Sequence, residues 1–212
     1  DLDFFVLGQR LDILVGGATD DVLIKSLLVG GAYFGGWCKY SFPVRVPSGV
    51  RVAAQLSAGA AQTSEPRVMV ALYGGSPPPG RVGRKVTTYG TKINDSRGQA
   101  VTPTASGGAA SVTQMTASTS EDHWWFIPGF QVSTDSTIAT ATNINVGIGV
   151  GAATEERIGT WWFTKNASEM QTGPWPLDGA YRHVPAGSRL TLLASNGGSN
   201  DTAHDGHIYA VS

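Results

Sequence analysis

The densest group of potential metal ligands lies close to the C-terminal end, in the stretch NDTAHDGH. It contains Asp201, His204, Asp205 and His207. Two imidazoles and two carboxylates could together hold a transition metal. Asp205-Gly206 is also a strong hairpin-turn signal, and a turn there would lead into a final strand and leave His204 and His207 apart. We favour the turn, and we expect no metal and no other cofactor.

Two acidic pairs, Asp20–Asp21 and Glu155–Glu156, occur at matching places in the chain. Such carboxylates beside glycines could bind calcium, or they could accept backbone hydrogen bonds in a solvated turn. The structural role is favoured, because a folding device is what two copies of a domain must share. No GxSxG, HExxH, P-loop or EF-hand pattern is present. A hydrolase would need paired carboxylates in a cleft, which the sequence does not show. We predict no catalytic residues and no enzymatic activity.

Six tryptophans form the other group of candidate functional residues. Trp124–Trp125 and Trp161–Trp162 are adjacent pairs, and neighbours on a strand point to opposite faces, so one ring of each pair should enter the core. The outward rings could stack on sugars or fill a pocket of a partner, or aromatic loops could cover them. The residues that we select as contacts for a partner subunit or a glycan are Trp37, Tyr40, Trp162 and Trp175.

The elements that must position these residues occur twice in the chain. VGGATDDVL at Val15–Leu23 returns as VGAATEERI at Val150–Ile158. VPSGVR at Val46–Arg51 returns as VPAGSR at Val184–Arg189. The order and the spacing of the phrases agree, and the period is too long for a solenoid repeat. The sequence therefore predicts an internal duplication, with two tandem copies of one domain.

Each copy is predicted to be an all-β, jelly-roll-like β-sandwich. Residues 50–57 and 143–150 alternate with the period of strands that have one buried face. Strands are also expected at 42–46 and 67–73, and many short strands separated by Gly, Pro, Ser and Asn are typical of sandwiches. We place copy 1 at residues 1–75, a Pro/Gly-rich basic linker at 76–88, and copy 2 at 89–212.

The repeated VPxGxR phrase is predicted to form a turn. Pro47 and Pro185 suit position i+1, since the proline ring holds φ at roughly −65°. Gly49 and Gly187 can adopt a positive φ without a Cβ penalty. The phrase is therefore a folding device, which fixes the register of the strand that follows.

The two copies differ at their starts. Nothing precedes Asp1 to match the strands that are predicted at 98–104 and 110–117 in copy 2. We therefore expect the first copy to be without its N-terminal strands within this sequence. We expect residues outside this sequence, or another chain, to supply them, because an open sheet edge promotes association.

Composition limits the classes of partner. The net charge is −1, which gives no electrostatic case for binding nucleic acid. Cys38 is the single cysteine, so neither an internal disulfide nor a thiolate metal cluster can form. No apolar run approaches the ~18 residues of a membrane span. The one local excess of positive charge is typical of a solvated linker, and the alternative is a basic patch that binds an acidic partner. It comprises Arg81, Arg84, Lys85, Lys92 and Arg97.

Several phrases resemble the tandem β-sandwich domains of structural proteins from tailed bacteriophages. They are FPVRVPSGVRVAAQLSAG at 42–59, VALYG at 70–74, YGTKINDSRGQAVTP at 89–103, MTASTSED at 115–122 and VGAATEERI at 150–158. The resemblance implies a virion component, such as a capsid decoration or cement protein, a head fibre or a tail-associated subunit. It brings no catalytic residues.

Resemblance and composition together predict a non-enzymatic phage structural protein. It would assemble in the host cytoplasm, where proteins do without disulfides, and reside in the virion. Its partners would be other virion proteins and further copies of itself. The alternative is a carbohydrate-binding adhesin, which would recognise host-surface glycans through its exposed tryptophans.

Overall fold

A computed structural model describes most of the chain, and the description covers residues 10–16, 20–28, 39–57, 68–74, 82–92, 98–105, 107–132, 142–152, 154–165, 171–176, 178–198 and 204–212. These residues form thirteen β-strands and no helix, which confirms the all-β prediction. The strands are β1 (Arg10–Gly16), β2 (Asp20–Leu28), β3 (Arg51–Ser57), β4 (Val86–Tyr89), β5 (Gln99–Val101), β6 (Ser111–Thr116), β7 (His123–Val132), β8 (Thr142–Val150), β9 (Glu156–Lys165), β10 (Gln171–Trp175), β11 (Ala180–Val184), β12 (Leu190–Asn196) and β13 (His204–Val211).

The strands pair into three antiparallel sheets, which we name by position. The first sheet has the order β2-β1-β3. The middle sheet has the order β11-β7-β13-β4, and β5 also pairs with β13. The outer sheet has the order β10-β9-β8-β12-β6. The middle and outer sheets together form a β-sandwich.

The middle sheet is covered on both faces. On one face Phe130 of β7 packs against Phe163 of the outer sheet, with ring centroids 5.4 Å apart. On the other face the Tyr209 hydroxyl donates to the Ser26 carbonyl of the first sheet over 3.0 Å. All eight residues of β13 are accordingly buried. The sheets therefore stack as three layers around one hydrophobic cluster, which runs from Leu11 to Val211.

The predicted hairpin turn at Asp205-Gly206 is wrong, because both residues lie inside β13. Gly206 stands opposite Phe130 of β7 and opposite Gln99 of β5. A Cβ on Gly206 would come within 2.6 Å of Leu192 in the outer sheet. Glycine at this position allows the two layers to pack closely, which is a common role of a glycine inside a strand.

The first sheet has the same strand order as the centre of the outer sheet. In copy 1, Val15 of β1 stands opposite Asp21 of β2 and Val52 of β3. In copy 2, the repeat-equivalent Val150 of β8 stands opposite Glu156 of β9 and Leu190 of β12. Each of these pairs occupies equivalent positions in the two sequence repeats. Strand order, strand direction and register therefore agree between the copies, which supports the predicted duplication.

An irregularity in the strand register also occurs at equivalent positions of the first and outer sheets. It falls between Ile13 and Leu14 on β1, and between Ile148 and Gly149 on β8, which are equivalent in the repeat. Such bulges are typically kept within families, so this shared bulge is a second geometric argument for duplication. The division into copies at 1–75 and 89–212 stays a prediction, since the layers share one core.

Two strand predictions are wrong, and one strand begins inside the range predicted as linker. Residues 42–46 form one isolated bridge, between Val44 and Gly83, in place of a strand. Residues 68–74 form no strand and are exposed, because no described strand of the protomer lies beside them. β4 begins at Val86, inside the range predicted as linker, where it pairs with the end of β13.

A second bulge, present in copy 1, joins the first sheet to the middle sheet. It falls between Leu11 and Ile13 of β1 and places Ser26 of β2 at φ 55°. The Asp12 carboxylate accepts the Ser26 N–H at 2.6 Å and holds this conformation. The Ser26 carbonyl then accepts hydrogen bonds from the Tyr209 hydroxyl and from His207 Nδ1, each over 3.0 Å. Because a carbonyl can only accept, the neutral His207 ring carries its proton on Nδ1.

Burial lowers the pKa of His207 to about 4, with a smaller raising effect from the Ser26 carbonyl and a lowering effect from Arg10. Its Nε2 atom has no hydrogen-bond partner, so protonation would bury an unpaired N–H. The folded-state pKa is thus depressed below the unfolded value of roughly 6.5, and the unfolded chain binds more protons between these two values.

We therefore predict that the free energy of unfolding falls as pH drops from about 6.5 towards 4, by up to about 1.4 kcal/mol per pH unit for this group. Urea denaturation at several pH values measures the slope. His207→Gln should flatten it, whereas His183→Gln, which removes an exposed histidine, should not. Equal slopes for wild type and His207→Gln would contradict the assignment.

Candidate functional site

Two of the predicted contact residues meet on the outer face of the outer sheet. Trp175 of β10 is the cross-strand partner of Trp162 of β9, and Trp162 is the partner of Asn145 of β8. Asn145 in turn stands opposite Ser195 of β12. Directly opposed residues share one face of a sheet, and their Cβ atoms lie roughly 5 Å apart. We name these four residues the tryptophan row.

The tryptophan row is open to solvent at its aromatic end. Trp162 is 48 % exposed and Trp175 is 66 % exposed, whereas Asn145 and Ser195 are half-buried. Trp161, which precedes Trp162, is 1 % exposed, and Trp125 of the other adjacent pair is 2 % exposed, whereas Trp124 is half-buried. The prediction that one ring of each adjacent tryptophan pair enters the core is therefore confirmed. Strand parity places Trp161 inside and Trp162 outside.

The row combines flat apolar area with polar groups at one end. Thr164 of β9 and Asn143 of β8, which are directly opposed, add further polar groups beside the row. The Thr164 hydroxyl donates to the Asn143 amide oxygen over 3.0 Å. Exposed tryptophan faces can stack on sugar rings or fill pockets in a partner protein. Amide and hydroxyl groups beside them can donate and accept hydrogen bonds, which fixes the orientation of what binds.

The other two predicted contact residues do not join this row. Trp37 lies outside the described residues. Tyr40 packs edge-on against Tyr209, on the face of the middle sheet that is turned away from the outer sheet. Its hydroxyl donates to the Leu28 carbonyl over 2.9 Å. Half-buried in this way, Tyr40 contributes to the joint between the first and middle sheets.

The acidic pair of copy 2 is held by arginines. Glu155 forms an ion pair with Arg189, which also donates to Gln114 of β6 over 2.9 Å. Glu156 pairs with Arg182 over 2.7 Å, on the surface. The two carboxylates therefore bind different arginine side chains, whereas the structural interpretation of this pair expected backbone N–H donors. Arg189 is largely covered and ties β12 to the loop before β9, which gives it a structural role.

Sequence reasoning missed one exposed aromatic pair. Tyr181 of β11 is 53 % exposed and stacks on Trp124 of β7, with ring centroids 5.9 Å apart. β11 carries no apolar alternation, so periodicity could not reveal it. Tyr181 is thus an exposed aromatic ring on a different sheet from the tryptophan row.

Among the candidate metal ligands, the histidines of β13 face different layers. His204 stacks on Phe130, and His207 bonds to Ser26. Within the described residues, no group of three or more His, Cys, Asp or Glu side chains is placed to hold a metal ion. Asp201 lies outside those residues. The same part of the chain contains no helix that is long and apolar enough to cross a membrane.

The basic stretch around the predicted linker is only partly described. Lys85 donates to Glu121 over 2.8 Å, and this hydrogen bond is the largest cause that lowers the pKa of the Glu121 carboxyl. The pair is exposed, so it contributes little to stability. Arg81 and Arg97 lie outside the described residues.

Comparisons with known proteins give one weak likeness. No protein-family model and no curated protein matches the chain. Two solved structures are similar over 98 % of the chain, those of infectious bursal disease virus strains Gx and Gt, at 8 % and 11 % identity and TM-scores of 0.27 and 0.28. The chain spans 54 % of the length of each of those chains. Similarity this weak to viral proteins assigns no function.

The turns of the VPxGxR phrase have glycines in the left-handed region, with φ of 80° at Gly49 and 84° at Gly187. The Pro185 carbonyl accepts the Ser188 N–H, so Pro185 occupies position i of the turn and not the predicted i+1. Exposed Asp122 caps the same turn by accepting the Ala186 N–H over 2.8 Å, and this bond is the largest cause of the lowered pKa of Asp122.

We predict that Gly187→Ala destabilises the fold by about 1–2 kcal/mol, because a residue with a Cβ is strained at positive φ. An added Cβ would meet no atom within 4 Å, so conformation alone causes the loss. Gly74→Ala is the control, since that site is equally open and its φ lies outside the left-handed region. Chemical denaturation measures both changes, and equal midpoints for the two variants would contradict the argument.

Proposed function

We propose that the chain is a non-enzymatic structural subunit of a bacteriophage particle, of the capsid decoration, cement or fibre type. It binds neighbouring virion subunits through exposed aromatic surface. The proposal is supported by the phage-like phrases in both halves of the chain and by the layered all-β architecture. The observation that carries it is the exposed pair Trp162 and Trp175, since large exposed apolar rings mark protein contact surfaces.

Mass spectrometry of purified particles tests this function. The chain should be present at a constant copy number per particle after density-gradient purification. Replacing both Trp162 and Trp175 by alanine should lower its incorporation by roughly ten-fold or more, as the loss of two central contact residues would do. Tyr181→Ala should leave incorporation unchanged, because that ring is exposed on a different sheet. Absence of the wild-type chain from particles would overturn the proposal.

The second candidate function is recognition of a host-surface glycan. One observation favours it: the amide of Asn145 and the hydroxyl of Ser195 continue the line of the two exposed tryptophans across the sheet. Sugar-binding sites combine such a stacking face with hydrogen-bonding groups at its edge. Under this function the particle would carry the chain as an adhesin.

A glycan array with the tagged wild-type chain tests this second function. Binding to any glycan should be reduced at least about ten-fold by Trp162→Ala and by Asn145→Ala, since one change removes the stacking face and the other a hydrogen-bonding group. Tyr181→Ala is again the control. Retained binding in both row variants, or no binding by the wild type, would exclude the row as a glycan site.

A further inference from the structure

A second apolar surface lies far from the tryptophan row in sequence. It is the stretch VMVALYG at 68–74, which we name the arm. Met69 and Tyr73 are 78 % and 87 % exposed, and the valines and the leucine of the arm are exposed as well. The arm carries no charge, and it makes no strand pairing, hydrogen bond or ring contact with the described part of the chain. Six apolar side chains in a row, exposed on both sides, mark a contact surface.

The internal repeat shows which kind of environment such a sequence occupies. The offset that relates Arg51 to Arg189 also relates the arm to the end of β13, from Gly206 onwards. β13 is the strand that is buried at every position, at the centre of the middle sheet. Two equivalent apolar segments therefore have opposite surroundings, and only one of them has neighbouring strands.

The layer order explains why the arm is left out. In copy 2, the strand equivalent to the arm packs over the sheet β9-β8-β12. The corresponding face of the first sheet is already covered by the middle sheet, through Tyr209, His207 and the Ser26 bulge. The arm is thus displaced from the first sheet by a strand of copy 2, and no described strand of its own protomer replaces the lost pairing.

The repeat also indicates where a strand can be added. β12 is flanked by β8 on one side and by β6 on the other. Its counterpart β3 pairs with β1 on one side, and no strand among the described residues lies on the other. β3 has seven residues, which matches the length of the arm. An uncharged, apolar segment can add to such an edge through its backbone hydrogen bonds.

We propose that the arm of one copy adds as a strand to the outer edge of β3 in a second copy, in the place that β6 has beside β12. Exchange of arms between two copies about a twofold axis would cover on the order of 1,000–1,500 Å² of total surface, which is within the range of stable interfaces. This deepens the proposed binding of neighbouring subunits, and it rests on that proposal only for its biological setting.

Light scattering of purified chain over a range of concentrations tests the exchange. Wild type should be a dimer or a larger homo-oligomer at about 50 µM. Val70→Pro removes a backbone donor and Leu72→Asp places a charge in the interface, so each should weaken association by about a hundred-fold. Val82→Asp, at an apolar side chain that is also exposed and outside the strands, should leave association unchanged. A monomeric wild type would overturn the proposal, as would arm variants that associate normally.

Hydrogen exchange of backbone amides tests the acceptor edge. Amides of 68–73 and of β3 should be protected in the wild-type oligomer, and both sets should exchange rapidly in Val70→Pro. Protection of the arm without any change in β3 would exclude β3 as the acceptor. Particle incorporation separates the two proposals. A chain that exchanges arms yet is absent from particles overturns only the proposed function, and a monomeric chain found in particles overturns only the arm exchange.

Discussion

The burial of one strand on both faces is the constraint on which this architecture depends. β13 must satisfy its backbone groups through β7, β4 and β5, and it must offer side chains to two layers at once. Tyr209 shows how both demands are met. Its ring lies where a Cβ on Gly129 would come within 2.5 Å of the hydroxyl, so glycine on β7 makes room for it. Its hydroxyl then accepts the Leu28 N–H over 2.8 Å and donates to Ser26.

Sequence reasoning recovered the features that depend on local pattern and on repetition. Alternation predicted β3 and β8, and parity predicted that one ring of each adjacent tryptophan pair is buried. The repeated phrases predicted equivalences that the register of Val15 and Val150 then reproduces. These predictions are correct because successive side chains in a strand point to opposite faces, whatever the strand pairs with.

The failures have a common cause, which is that pairing is not local. Residues 68–73 have the composition of a strand, but no described strand pairs with them. Asp205-Gly206 has the composition of a turn, but Gly206 is required by the approach of Leu192 from another layer. β10 contains Gly173 and Pro174, which weaken any strand signal, although an edge strand tolerates proline. In each case a residue type has two structural uses, and only the packed neighbour decides between them.

The first sheet and the outer sheet dock on opposite faces of the middle sheet. The strands β9-β8-β12 of the outer sheet cover one face. The first sheet, which has the same strand order, covers the other face, and the extra bulge at Ser26 is the device that fits it there. The bulge turns the Ser26 carbonyl toward Tyr209 and His207, and the Asp12 carboxylate holds this backbone conformation by accepting the Ser26 N–H. One middle sheet thus serves two layers, which is why β13 is buried on both of its faces.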